Sequence, residues 1–160
     1  MKPDKINYRK HLGLALIFLA VVLIAACGSK IIRGAAPMVR MTELSHQDDK
    51  ITLQISMRNP NGVALDIQTI DFSLSASNDV LFAYQGPIDT NIVINGTETW
   101  SLEVEESESS RTLLDKLQNG DVKSLPYSLR GSVSTREEGI LYFEHEGHIY
   151  PLPGRPGHFR

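Results

Sequence analysis

The 160-residue chain has room for one folded domain after a short N-terminal segment, and its charge excludes some partners. It carries 16 basic and 19 acidic residues, a formal net charge of −3. Lys2, Asp4, Lys5, Arg9 and Lys10 lie within the first 26 residues, so the rest holds 12 basic and 18 acidic residues, or −6. Because nothing concentrates positive charge for phosphates, we expect no nucleic-acid partner. A single cysteine excludes an intramolecular disulfide.

The first 26 residues have the pattern of an export signal. Residues 1–11 are polar and basic, and residues 12–26 form an unbroken apolar run of 15 residues. This length fits the apolar region of a signal peptide, whereas a membrane-spanning helix needs about 20 residues. We therefore predict a helical signal peptide over residues 1–26 that is cleaved. The alternative is an uncleaved transmembrane anchor.

The end of the apolar run gives the cysteine a role. Leu23-Ile24-Ala25-Ala26-Cys27 resembles the lipobox of bacterial lipoproteins, with Ile24 where leucine is commonest. The resemblance implies a diacylglycerol thioether on Cys27, cleavage before Cys27 and acylation of the new amine. Two or three acyl chains give stable anchoring, whereas one alone is marginal. Membrane lipid is thus an expected partner, and residues 27–37 are predicted to be a lipidated tether.

The residue after the cysteine predicts which membrane of the cell envelope holds the lipoprotein. In Gram-negative lipoproteins an aspartate there favours retention in the inner membrane, and this chain has Gly28. We therefore expect a cell-envelope protein, lipid-anchored in the outer membrane and facing the periplasm.

Residues 38–153 are dominated by the two-residue alternation of strands. Apolar residues alternate over 50–57, 63–67, 70–74, 80–84, 88–94 and 100–104, with shorter signals at 39–44, 127–133 and 140–143. The phase slips at Gln68-Thr69, which predicts a bulge or a strand break. Gly86-Pro87 is predicted to end one strand, and Asn95-Gly96 to form a hairpin turn. The predicted core includes Leu53, Ile55, Ile67, Phe72, Phe82, Ile92, Trp100, Leu102, Leu129 and Val133.

One segment, residues 107–120, has the pattern of a helix instead. Ser107 or Ser109 can cap its N-terminus, Leu113, Leu114 and Leu117 form an apolar stripe, and Asn119-Gly120 ends it. Many short strands with one short helix predict an all-β fold. We expect an antiparallel β-sandwich of the immunoglobulin or fibronectin-III kind over 38–153, followed by a flexible C-terminal tail over 154–160.

The motif Asn59-Pro60-Asn61 stops one strand and reverses the chain, because Pro60 lacks an amide donor and Asn61 tolerates a turn. With the strands around it, the Trp100 strand, the leucine-bearing helix and the segment Leu125-Pro126-Tyr127-Ser128-Leu129-Arg130-Gly131, it resembles the water-stress-and-hypersensitive-response (WHy) domain of the second late-embryogenesis-abundant (LEA) family. The resemblance covers about residues 36–151. It implies a β-sandwich associated with desiccation and related stress, and it carries over no catalytic residue.

Candidate chemical sites are weak. Glu144-His145-Glu146-Gly147-His148 brings two histidines and two carboxylates together, but in a strand His145 and His148 point to opposite faces, unlike the helical zinc motif. The run Glu103, Glu105, Glu106 and Glu108 is interpreted as a solvated acidic face. We therefore expect no catalytic residue, no metal, no cofactor and no small-molecule substrate.

Three functions remain open. The first is a non-enzymatic lipoprotein that protects the cell envelope or its proteins during water stress. The second is a module that binds other envelope proteins within a lipoprotein complex. The third, a metal-dependent hydrolase, depends only on His145 and His148.

Overall fold

The computed structural model describes residues 31–77 and 79–160, and Cys27 and the predicted signal peptide lie outside them. The described residues contain eight strands and one helix: β1 Met38–Gln47, β2 Lys50–Arg58, β3 Leu65–Ala76, β4 Asp79–Ile92, β5 Thr97–Glu105, α1 Glu108–Gln118, β6 Leu125–Thr135, β7 Gly139–Ile149 and β8 His158–Phe159. This confirms the predicted all-β class and its short helix.

The strands form two four-stranded sheets. The first sheet has the order β5-β2-β1-β8 and the second β4-β3-β6-β7, and each neighbouring pair is antiparallel. Since side chains alternate across a strand, each sheet turns one apolar face toward a common core. Of the predicted core, Trp100 and Leu102 are only half-buried and pack against its rim, and the other eight residues are buried: Leu53, Ile55, Ile67, Phe72, Phe82, Ile92, Leu129 and Val133.

Two bulges set which side chains of the second sheet face the core. The predicted slip lies in β3, where the pairing register shifts between Ile67 and Thr69. A second shift, between Leu74 and Ser75, leaves an extra residue on β4. Leu81 and Phe82 are consequently both buried while Val80 is exposed, so the prediction that Val80 shares the phase of Phe82 is wrong.

Gly86-Pro87 does not end a strand. β4 continues from Asp79 through Pro87 to Ile92, with Pro87 opposite Thr69 of β3. β4 is an edge strand of the second sheet. A proline is tolerated there because the side without a neighbour needs no ladder hydrogen bond.

The helix α1 forms where the sequence predicts it. Ser107 caps it, with its side-chain oxygen accepting a hydrogen bond from the Ser110 amide at 3.1 Å. Leu114 and Leu117 are fully buried and extend the core beyond the sheets. The helix ends at Asn119, and Gly120 follows with a φ of +81°.

The C-terminal residues belong to the domain. β8 pairs with Leu44 and Ser45 of β1, and Phe159 is fully buried. The backbones of Tyr150 and Arg160 exchange two hydrogen bonds of 2.8 and 2.9 Å. The predicted flexible tail over 154–160 is therefore wrong, because the apolar ring of Phe159 closes the core beside β1.

Phe159→Ala should lower the free energy of unfolding by about 3–5 kcal/mol, since it leaves a cavity the size of a phenyl ring in the core. Tyr142→Ala is the matched control, because Tyr142 is 74% exposed and its loss opens no cavity. Urea unfolding followed by circular dichroism gives both values. Equal stability of the two variants would show that the C-terminal strand does not contribute to the core.

Candidate functional site

Two asparagines of the motif 59–61 form a buried hydrogen-bond network. Asn59 is 0% exposed and Asn61 is 1% exposed. The Asn59 side-chain amide donates to the carbonyls of Val63, Ile92 and Val93 at 2.8, 3.1 and 3.3 Å. Its oxygen accepts from the backbone and side-chain amides of Asn61 at 2.9 and 3.0 Å. Asn59 therefore joins the end of β2 in one sheet to the end of β4 in the other.

Asn61 holds the N-terminal segment of the domain. Its side chain donates to the carbonyl of Ala35 and accepts from the amide of Ala35, each at 2.9 Å. The amide of Gly62 donates to the carbonyl of Ile32 at 3.0 Å. Residues from 32 onward thus belong to the folded unit. The predicted tether over 27–37 is therefore too long, because residues 32–37 are part of the domain.

The Asn95-Gly96 turn also joins this network. The Gly96 amide donates to the carbonyl of Val93 at 2.9 Å, and the Gly96 carbonyl accepts from the amide of Asn59 at 3.0 Å. The turn connects β4 of the second sheet to β5 of the first. It is therefore a crossing between sheets, and the prediction of a hairpin is wrong.

The outer face of the second sheet is a broad, shallow concavity. One part of about 900 Å³ is lined by Ser73, Gln85, Arg130, Ser132, Tyr142 and Glu144, among others. The adjoining part has about 680 Å³ and carries Ser75, Ser128, Glu146 and His148. Short serine side chains occupy most positions of this face on the central strands β3 and β6, beside Asp71 and Arg130, while Gln85, Tyr142 and Glu144 stand on the edge strands. Such a face offers hydroxyl groups to water or to a polar surface.

One ion pair lies on this face, between Arg130 and Glu144. The Arg130 Nε and Nη2 atoms lie 2.7 and 2.6 Å from one carboxylate oxygen of Glu144 on β7. Both side chains are more than half exposed, so the pair contributes little to stability.

The Ser128 hydroxyl oxygen is buried without a hydrogen-bond partner among the described residues.

The two candidate histidines lie on opposite faces of β7. His145 is half-buried, with its ring centroid 6.0 Å from that of Tyr127, while His148 is exposed beside Tyr150 at 6.2 Å. Burial raises the pKa of Tyr127. Within residues 31–77 and 79–160, no three histidine, cysteine or acidic side chains come together as metal ligands. The strand geometry thus separates the pair as the alternation predicts.

The acidic run is not uniformly solvated. The side chain of Glu106 is 3% exposed and bonds to the Arg111 Nε atom at 3.0 Å. Arg111 also pairs with Asp49, and these carboxylates, Glu106 first, raise the pKa of Arg111. The His46 Nδ1 atom lies 3.2 Å from the other Glu106 oxygen, outside hydrogen-bonding alignment. Interpreting Glu106 as part of a solvated face is wrong, because α1 and the β1–β2 turn cover it.

In the described part of the chain, no helix has both the length and the apolar character needed to cross a membrane.

The family model described as late embryogenesis abundant protein (LEA_2) matches residues 54–143, more than half of the chain. The chain belongs to the LEA_2 family. The match begins in β2 and ends in β7, so it includes Asn59, Asn61 and most of the second sheet. The resemblance inferred from the sequence is confirmed for the LEA domain.

Several solved structures resemble this LEA_2 chain at low identity. A protein from Archaeoglobus fulgidus is 10% identical, with a TM-score of 0.46 over 74% of this chain and 98% of the other. AT1g01470 from Arabidopsis thaliana is 13% identical, with a TM-score of 0.49 over 81% and 95%. At2g46140.1, a candidate LEA protein, is 15% identical, with a TM-score of 0.48 over 95% and 90%. Comparison with curated proteins gives no match.

Asn61→Ala should lower the free energy of unfolding by about 1–3 kcal/mol, because the backbone amide and carbonyl of Ala35 lose their buried partners. Hydrogen exchange at the Ala35 amide should accelerate more than exchange in β2. Asn91→Ala is the matched control, since Asn91 is exposed on β4. If exchange at Ala35 stays as slow as in the unsubstituted protein, Asn61 does not hold the N-terminal segment.

Proposed function

We propose that this LEA_2 chain is a bacterial lipoprotein that protects envelope proteins during desiccation or related water stress, without catalysis. In this proposal residues 1–26 are removed as a signal peptide and Cys27 carries the acyl chains. The immunoglobulin-like domain is then held at the outer membrane, facing the periplasm. The match of residues 54–143 to the LEA_2 family carries the stress-related part of the proposal. The lipobox-like sequence before Cys27 carries the anchor.

The surface of the domain is suited to this role. A protective protein needs no pocket, because it can act by keeping a hydrated, charged body between partners that aggregate as water is lost. Beyond residue 26 the chain has a net charge of −6, and the first sheet exposes Glu98, Glu103 and Glu105 along β5. The hydroxyl-lined face of the second sheet adds a second hydrated surface. Lipid anchoring would concentrate both at the membrane.

A second candidate function is binding of another envelope protein. Tyr142 is largely exposed beside Arg130 on the concave face, and tyrosine and arginine are enriched at protein interfaces. Under this function Tyr142→Ala with Arg130→Ala would abolish co-purification of one specific partner. Under the protective function the same variant would protect as well as the original chain.

Cys27→Ser should abolish the acylated form and leave an uncleaved or mislocalised precursor, because the serine oxygen cannot form the thioether. Mass spectrometry of the N-terminal peptide measures acylation, and membrane fractionation shows in which membrane the protein is anchored. Cys27 found unmodified in the mature protein would overturn the lipoprotein proposal. Fractionation with inner-membrane markers would overturn only the outer-membrane assignment.

Residues 30–160 should protect a labile enzyme through drying and rehydration without metal or nucleotide, relative to an inert protein of equal size and charge. Phe72→Ala removes a ring from the core and should abolish protection by unfolding the domain. His145→Ala with His148→Ala should leave protection unchanged. Recovered enzyme activity after rehydration is the measurement, with circular dichroism to establish folding.

If the histidine variant loses protection while it remains folded, the protective function is refuted. A metal or partner site at β7 would then take its place. In the cell, deletion of the protein should lower survival of desiccation, freezing or osmotic shock.

A further inference from the structure

Four apolar side chains are exposed at one end of the domain. Ile32, Met38, Val93 and Ile94 are each 54–62% exposed, and together they are called the apolar end. Isolated apolar side chains are common on protein surfaces, whereas neighbouring ones mark a contact surface. Of the other exposed apolar side chains, Ile31 directly precedes Ile32, Ile140 and Tyr142 lie along β7, and Val80 and Tyr150 lie near the opposite end.

The buried asparagine network brings the apolar end together. The carbonyl of Ile32 accepts from Gly62, and the carbonyl of Val93 accepts from Asn59. Met38 stands one strand away, paired with Arg58 at the end of β2. The segments that carry these side chains are therefore fixed to a buried, fully bonded pair of amides. A surface fixed in this way loses little conformational entropy when it is covered.

The charges around the apolar end are mixed. Arg33, Arg58 and Glu98 are exposed there, and Arg136 pairs with Asp66 through atoms 3.2 Å apart. No single sign dominates, so burial of apolar surface would contribute more to binding here than attraction to charge.

Chain length determines what lies opposite the apolar end. Five residue steps separate Cys27 from Ile32, and fully extended they span at most about 18 Å. The carbonyl of Ile32 is already hydrogen-bonded within the domain. If Cys27 is lipidated, as in the proposed function on which this step rests, the apolar end lies within that reach of the membrane surface.

We propose that the apolar end docks onto the lipid bilayer, with Ile32, Val93 and Ile94 at the boundary of headgroups and acyl chains. Each molecule would then stand on the membrane with α1 and the β1–β2 turn pointing away from it. The occupant is the bilayer rather than a second copy, because the same short connection holds this end of every copy against lipid. The concave face of the second sheet remains open to the periplasm.

Environment-sensitive fluorescence on the full-length lipoprotein, purified from membranes, tests this orientation. The chain is reconstituted in phosphatidylethanolamine–phosphatidylglycerol vesicles, and a thiol-reactive probe is attached to Ile94→Cys. The matched control is Glu108→Cys at the exposed start of α1. The sulfur of an acylated Cys27 is blocked, so each variant has one reactive thiol.

The probe at residue 94 should be quenched by nitroxide-labelled lipid and should be several-fold less accessible to aqueous iodide than the probe at residue 108. Equal iodide accessibility at the two positions overturns the docking proposal. Lipid quenching at residue 108 as strong as at residue 94 also overturns it. Protection from iodide that disappears as the protein-to-lipid ratio is lowered assigns the apolar end to a second copy and likewise overturns it.

The docking proposal and the proposed function can be refuted independently of each other. Mass spectrometry of Cys27 and the enzyme-protection assay use the same preparation. An acylated, protective protein whose residue 94 stays in water would refute the docking alone. An unmodified Cys27 would refute the lipoprotein proposal itself.

Discussion

Burial of two carboxamides where the sheets meet is the constraint on which the rest of this structure depends. The carbonyls of Val63, after β2, and of Ile92 and Val93, at the end of β4, need hydrogen-bond partners in the interior, where an unpaired polar group costs about 1–3 kcal/mol. Asn59 supplies donors for the carbonyls of Val63, Ile92 and Val93, and Asn61 supplies both partners for Ala35. Three stretches of chain distant in sequence, around residues 35, 59–63 and 92–93, are thereby held together. The proline between the asparagines ends the strand, so that both side chains can turn inward.

This constraint gives the domain two different ends. The end with the asparagine network receives the N-terminal segment and carries exposed apolar side chains. The opposite end carries α1, the buried Glu106 and the ion pairs of Arg111. A domain with such a polarity suits a protein held at a surface by one end.

Two glycines of the second sheet stand where neighbouring groups leave no room for a side chain. A side chain at Gly147 would come within 2.7 Å of the Tyr127 ring, and one at Gly131 would overlap the backbone of Asp71. Both glycines have ordinary backbone angles, so close approach of neighbouring groups, rather than left-handed geometry, requires them there. Gly131 on β6 and Gly147 on β7 share the phase of the buried Leu129 and Ile149, so they let the core side chains of Phe72 and Tyr127 pack close against the sheet.

Local pattern by itself determined the class of fold, most strand positions, the bulge near Gln68 and the capped helix, because alternation and capping depend on residues close in sequence. Strand alternation also separated His145 from His148, while the LEA_2 family came from the resemblance of the ordered motifs around Asn59-Pro60-Asn61 to the WHy domain. It missed the continuity of β4 through Pro87, the docking of residues 32–35, the pairing of Glu106 and the closure of the core by Phe159. Each of these depends on a neighbour far along the chain: an edge position, a buried amide, a covering helix or a partner strand. Only the tertiary structure decides such contacts, because a single side chain looks the same in sequence whether or not a distant partner buries it.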